Sequence, residues 1–187
     1  MLAAAFAPLM LAIALLLRKD GGPVIYRHSR VGRGGRVFEC LKFRTMVPGA
    51  DRILHLVLEG DMDLKREWAR HHKLRRDPRV THLGKLLRRT SLDELPQLWN
   101  VLRGEMSLVG PRPVAPQELP RYGRNVRAYL AIEPGITGLW QIKGRNDADY
   151  GRRVALDTYY VRKQNLLLDL WILLKTIRVV LGGRGAY

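Results

Sequence analysis

The run MLAAAFAPLMLAIALLL (residues 1–17), followed at once by Arg18, Lys19 and Asp20, carries no charged side chain and decides how the rest of the chain is placed. As a helix rising about 1.5 Å per residue it reaches roughly 25 Å, short of the roughly 30 Å hydrocarbon core of a bilayer, and Pro8 interrupts it near its middle. The expected structure is a re-entrant membrane helix over residues 1–19, broken at Pro8, that dips into one leaflet. A cleaved signal peptide fits less well, because the positive charges follow the apolar run and no small-residue cleavage pattern comes after it. The other alternative is an ordinary buried helix of a soluble core. Basic residues at the end of the run, with a basic chain beyond, place residues 20–187 on the cytoplasmic side.

That remainder is one domain with a modest core, since 187 residues are too few for two ordinary domains. Lysine and arginine number 33 against 17 acidic residues, a net charge of +16, so an anionic partner is implied: nucleic acid, anionic lipid or a phosphorylated small molecule. With 47% hydrophobic residues the charge excess does not signal disorder. Cys40 is the single cysteine, which excludes an intramolecular disulfide framework and any multi-cysteine zinc site.

Short β-prone pieces at Val24–Tyr26 and Arg36–Leu41 flank Gly32, Gly34 and Gly35 and predict a small hairpin. No helical pattern follows the glycines, so a phosphate loop is not expected there. Lys42 and Arg44 share a face if the strand continues through Phe43. Residues 63–90 form a basic surface with His71, His72 and His82 interspersed; adjacent histidines diverge by about 100° on a helix, so they read as solvated surface, not a metal site. Ser91 with Glu94 makes a capping-box pattern ahead of Leu95, Leu98, Trp99 and Leu102, which predicts a helix beginning near Asp93, capped by Ser91 or by Asp93 itself. Residues 104–120 and 134–145 read as loops rich in glycine and proline, with Arg112 held between Pro111 and Pro113. Leu166–Leu181 is apolar at helical period and suits either a membrane interface or a core. The fold class is α+β.

Asp93 and Glu94 are adjacent carboxylates that point apart on a helix, and at its N-terminus both should be ionised at neutral pH. They suit different tasks: one attacks, the other holds a hard cation such as Mg²⁺ together with substrate phosphates. Lys42, Arg44, Arg88, Arg89 and Arg112 would neutralise phosphate charge, where phosphoryl transfer gains most of its catalysis. Taken bare, a capping box with an extra acid explains the same four residues.

The runs LKFRTM (41–46), DPRVTHLGKLLRRTSLDELPQLWNVLRGEMSLVGPRP (77–113), PGITGLWQIKGR (134–145) and GRGAY (183–187) resemble the bacterial sugar transferases, monotopic enzymes that start exopolysaccharide, capsule and O-antigen synthesis. The resemblance covers nearly the whole chain in the family's order. It implies that Asp93 is the nucleophile, attacking the sugar-bearing phosphorus of a UDP-sugar, releasing UMP and passing the phosphosugar to undecaprenyl phosphate. It further implies Glu94 at Mg²⁺, Lys42, Arg88 and Arg112 at substrate phosphate, and Asp157 as a further acid with no assigned role; Arg44 is a further phosphate-binding candidate, and Gln141 and Arg145 are further site candidates. The implied location is the cytoplasmic face of a bacterial inner membrane. Glucose or galactose is the favoured sugar, and anionic lipid and a homodimer partner are expected, with no nucleic acid.

The chain departs from the family pattern at its start: it begins inside the re-entrant helix, and Ala7 stands before Pro8 where a serine is usual. A fragment, a late start or the catalytic part of a longer member would each account for this, and an inactive truncated member is one alternative reading. A membrane-tethered nucleic-acid-binding module is the other; among the charges of 63–90 only Trp68 offers the base stacking it needs.

Overall fold

A computed structural model of the chain describes residues 2–71, 74, 76–143 and 150–182. Helix α1 (Leu2–Lys19) runs continuously through Pro8. Its C-terminal half belongs to the domain core, where Ile13 and Leu17 pack with Phe43 and Leu87, while Leu9, Leu11, Leu15 and Leu16 stay exposed. Among the described residues no helix is long and apolar enough to cross a membrane.

The predicted hairpin forms and is longer than expected: β1 (Ile25–Val31) pairs antiparallel with β2 (Val37–Phe43), joined by a tight turn at Arg33–Gly35 with Gly34 and Gly35 left-handed. Beyond it α2 (Ala50–Gly60) and α3 (Met62–His71) form an outlying pair, and α2 buries none of its residues. Helix α4 (His82–Thr90) is capped by Thr81, whose Oγ1 accepts from the Gly84 amide at 2.9 Å. The chain after β2 is sewn to the start of α4 by the Met46↔Val80 bridge and by the Thr81 amide donating to the Thr45 carbonyl at 3.1 Å. Glycine is required at position 84, because a Cβ there would stand 2.0 Å from the Thr45 carbonyl oxygen.

The predicted helix start near Asp93 is displaced. Ser91 makes no side-chain cap; it ends α4 in the left-handed region (φ 57°), the one non-glycine residue with positive φ among those described. Leu92–Glu94 then form a single 3₁₀ turn, and α5 (Gln97–Leu102) begins only after Pro96. The reason is geometric: the reversal at Ser91 takes it out of line with the following turn, and Pro96, lacking an N–H, fits just ahead of the first helical residue. Asn100, fully buried, fixes α5 to β2 by accepting from the Leu41 amide (3.0 Å) and donating to the Glu39 carbonyl (2.8 Å).

The two glycine- and proline-rich loops contain short elements. Strand β3 (Ser107–Val109) lies parallel to β4 (Gly135–Thr137), and α6 (Val126–Leu130) and α7 (Leu139–Lys143) are brief. Helix α8 (Tyr150–Lys163) leads to α9 (Leu166–Leu181). The C-terminal run serves the core in part: Ile172 is fully buried against Val109, Leu139 and Tyr160, whereas Leu166, Leu167, Leu174 and Ile177 form an exposed face.

Candidate active site

The Leu92–Glu94 turn carries Asp93 and Glu94 onto the end of the hairpin, where Lys42 of β2 meets them. The Lys42 ammonium donates to Glu94 Oε1 at 2.6 Å, both side chains being about a quarter exposed. Glu94 and Lys42 form one wall of a narrow cleft whose other sides include Arg30, Gln97, Arg112 and Gln141. Asp93 stands one residue along the turn from that wall. Burial pushes its carboxyl up to about 6, and Glu94 adds to this, while the positive charges of Lys42 and Arg88 pull the other way. Asp93 therefore titrates near the physiological range, where a helix N-terminus would have kept it fully ionised; the helix is not there.

Arg88 reaches Asp93 from α4. Its Nε donates to Thr45 Oγ1 at 2.9 Å, and burial lowers its pKa against the pull of Asp93 and Asp77. Arg112 arrives from the loop after β3, held by the Gly110 amide donating to the Thr137 carbonyl and the Gly135 amide donating to the Pro111 carbonyl, each at 2.9 Å. The two loops lie so close that a Cβ on Gly138 would stand 2.0 Å from the Gly110 carbonyl oxygen. Gln141 lines the cleft from α7, its amide donating to the Ile136 carbonyl at 3.3 Å and its buried Oε1 without a partner.

Two expected site residues go elsewhere. Strand β2 ends at Phe43, and the buried Arg44 guanidinium turns to the C-terminus of α1, donating to the Leu17 carbonyl at 3.0 Å and to that of Gly21. It thus ties the Leu17 and Gly21 carbonyls where α1 closes, the Leu17 carbonyl also accepting from the Asp20 amide at 3.3 Å, and does not share a face with Lys42. Asp157 is 1% exposed and lies behind the cleft, accepting from the Tyr122 hydroxyl at 2.7 Å. Arg145 and His72 fall outside the described residues, as does the terminal GRGAY run.

Arg30 and Gln97 were not singled out in the sequence. Arg30 sits on β1 three residues before the turn at Arg33, on the same face as His28, whose register partner is Cys40; Lys42 pairs with Tyr26 on that face too. Period-2 parity along a strand continued to Val31 would have found it.

Among the described residues no group of three or more His, Cys, Asp and Glu side chains is placed to hold a metal ion. Glu94, beside Asp93, could offer Mg²⁺ one hard oxygen donor if substrate phosphates completed its shell.

Carboxylates set among lysine and arginine in one cleft define a site built to handle anionic groups, on a small mixed helix-and-strand domain. The profile of the family described as bacterial sugar transferase matches residues 1–183, and the chain belongs to that family. It is 53% identical over 180 residues to the UDP-galactose-lipid carrier transferase of Erwinia amylovora, covering 96% of this chain and 38% of that protein. To the undecaprenyl-phosphate galactose phosphotransferase of Salmonella typhimurium it is 51% identical over 181 residues, covering 97% of this chain and 38% of that one. With the exopolysaccharide production protein ExoY of Sinorhizobium fredii the identity is 50% over 184 residues, covering 98% and 81%. The chain thus spans about two fifths of the length of the first two of these relatives.

Proposed function

We propose that this domain transfers a hexose 1-phosphate from a UDP-sugar to undecaprenyl phosphate, as a membrane-associated first step of exopolysaccharide synthesis. The observation that carries the reading is the placement of the largely buried Asp93 beside the Lys42–Glu94 pair and Arg88, at the edge of a cleft that also holds Arg112. The names of the Erwinia and Salmonella relatives supply the substrate classes, a UDP-galactose donor and an undecaprenyl-phosphate acceptor.

In the first step an oxygen of the Asp93 carboxylate attacks the phosphorus bearing the sugar. The bond from that phosphorus to the UMP oxygen breaks, UMP leaves with the bonding pair, and the phosphosugar is left on Asp93 as an acyl phosphate. In the second, a phosphate oxygen of undecaprenyl phosphate attacks the same phosphorus and the acyl–phosphate bond breaks, restoring the carboxylate. No proton need be removed from Asp93 when it is ionised, and a carboxyl that titrates at about 6 is mostly ionised at pH 7. Lys42, Arg88 and Arg112 would offset the charge that gathers on the transferring phosphoryl group. Mg²⁺, when bound by Glu94 and the substrate phosphates, would supply further charge neutralisation.

The donor is water-soluble and the acceptor lies in a bilayer, so the site belongs at headgroup level. The exposed leucines of α1 and α9 suit the outer acyl region at the cytoplasmic face, with α1 unbroken at Pro8 where a re-entrant helix is expected to break, and the net charge of +16 suits anionic headgroups. The test is UMP release by nanodisc-held protein given Mg²⁺, undecaprenyl phosphate and, separately, UDP-galactose, UDP-glucose and their N-acetyl analogues. Release that requires the lipid and Asp93 is expected; release from none of the donors by folded, membrane-bound protein overturns the reading.

A further inference from the structure

Behind the cleft lies a polar cluster for which the reaction above has no use. Arg153 of α8 is about one-tenth exposed and stands at its centre. Its Nη2 donates to the carbonyl of Arg112 at 3.2 Å, and its Nη1 donates to Glu118 Oε2 at 3.5 Å. The other oxygen of the same carboxylate, Glu118 Oε1, lies 3.7 Å from Nη1 of Arg30. On its far side the guanidinium faces Asp157, with Nε 3.8 Å from Oδ2, and Tyr122 holds that carboxylate in place. The two ends of this cluster, Arg30 and Arg112, line the same cleft as Lys42.

Backbone contacts point the same way. Val31, next to Arg30, bridges to Val114, two residues after Arg112, and the Tyr129 hydroxyl donates to the Val31 carbonyl at 2.6 Å while accepting from the Val114 amide at 3.1 Å. The bridge brings the two segments together, but it does not set where either guanidinium is held. Arg153 adds a tie from the Arg112 backbone to Glu118 and through Glu118 to the Arg30 guanidinium, which also meets His28 Nδ1 at 3.1 Å, and a planar fork suits partners lying in such different directions.

We propose that Arg153 is a positioning residue: anchored from behind by Asp157, it fixes Arg112 through its carbonyl and Arg30 through Glu118, so that the two cations face the cleft as one anion-binding unit. In this arrangement Arg30 is a phosphate ligand alongside Arg112. The inference rests on reading the cleft as the site for the donor diphosphate.

The experiment compares Arg153→Lys, Glu118→Gln and Arg112→Met with the wild-type chain in nanodiscs, reading inorganic pyrophosphate binding by calorimetry, the KM and kcat of UMP release, and Tm. Lysine keeps the charge but cannot reach all three partners. Arg153→Lys is expected to weaken pyrophosphate and raise KM about tenfold, with kcat changed less, as for loss of a charge-assisted hydrogen-bond set. Glu118→Gln cuts only the arm to Arg30 and is expected to give roughly a threefold effect in the same direction. Arg112→Met sets the scale for losing one cation outright.

Folded Arg153→Lys with wild-type pyrophosphate affinity and KM overturns the proposal, including the case where Tm alone falls, which is what a merely structural role predicts. If Arg153→Lys does not fold, Glu118→Gln decides by the same criterion. Pyrophosphate binding that is absent from the wild-type chain, or that Arg112→Met leaves untouched, also overturns it. Wild-type protein that binds pyrophosphate and releases no UMP defeats the transfer reading, while the comparison of variants still decides the positioning one.

Discussion

Asp93 and Asp157 are both pushed up to about 6, and in both burial is the largest cause. Their surroundings have opposite uses. Asp93 sits on a one-turn 3₁₀ segment at a cleft edge, with Lys42 and Arg88 in reach, and is only partly covered. Asp157 is 1% exposed in the middle of α8, with the Tyr122 hydroxyl on one oxygen, the Arg153 guanidinium nearby and its other oxygen without a hydrogen bond. An up-shifted carboxyl therefore does not by itself mark a reactive group. Access to an incoming phosphorus separates the two: Asp93 lies on a short 3₁₀ turn two residues after the left-handed Ser91 and is partly exposed, and regular helix surrounds the buried Asp157.

The sharpest way to break this comparison is to neutralise each carboxylate in turn. Asp93→Asn is expected to lower UMP release by at least about 10³-fold, since the attacking oxygen is lost, while Tm holds or rises because a desolvated charge is gone. Asp157→Asn keeps an acceptor for Tyr122 and should retain most turnover, with a several-fold rise in KM as the anchor of Arg153 weakens. If folded Asp157→Asn loses as much activity as Asp93→Asn, access is not what distinguishes them.

Next in size is the cation facing Asp93. Lys42→Met leaves Glu94 without the 2.6 Å partner it has in the cleft and removes a charge that favours ionised Asp93. A fall of about 10- to 100-fold in kcat/KM is expected, with an acid limb of the pH–rate profile displaced to higher pH. A profile that does not move would detach Lys42 from the nucleophile.

Much of this arrangement was legible in the sequence. The hairpin followed from three clustered glycines between β-prone pieces, and Asp93, Glu94, Lys42, Arg88 and Arg112 do converge. The misplaced helix start had a physical cause: S-x-x-E signals a capping box only if the serine keeps extended backbone, and Ser91 takes the left-handed form that closes the preceding helix instead. Arg44 was misassigned because parity along a strand predicts a face only while the strand lasts, and a free helix end 27 residues earlier in the sequence took its guanidinium. Arg30 needed the first strand to be continued as far as Val31, and Arg153 was out of reach, because its partners come from distant segments that no local pattern announces.

Arg44 gives a smaller, purely structural effect. It is buried and donates to the Leu17 and Gly21 carbonyls, so Arg44→Met should cost about 2 kcal/mol of stability through the loss of those charge-assisted hydrogen bonds. KM for the donor should stay within about twofold, because the side chain does not face the cleft. A KM rise comparable to that of Arg112→Met would return Arg44 to the site.

The finest test separates the rear carboxylate by pH. Asp157 is raised from its ordinary value to about 6, so between roughly pH 4 and 6 the folded chain holds a proton that the unfolded chain has released. Its contribution to stability is full below its unfolded pKa and is lost as pH rises through about 6. Asp77 runs the other way: burial pulls its carboxyl up, but its hydrogen bonds with Arg79 win and hold it below the usual range, as the Arg33 hydrogen bond does for Glu133, so those contributions are lost as pH falls. The wild-type curve is thus a sum of opposing slopes, and the difference between wild type and Asp157→Asn isolates one of them. Denaturant unfolding at pH 4.5, 5.5 and 6.5 should show the variant gaining on the wild type with each step upward. A constant difference would mean that Asp157 stays ionised throughout, with Arg153 and Arg112 outweighing its burial, and the resemblance between the two aspartates would end there.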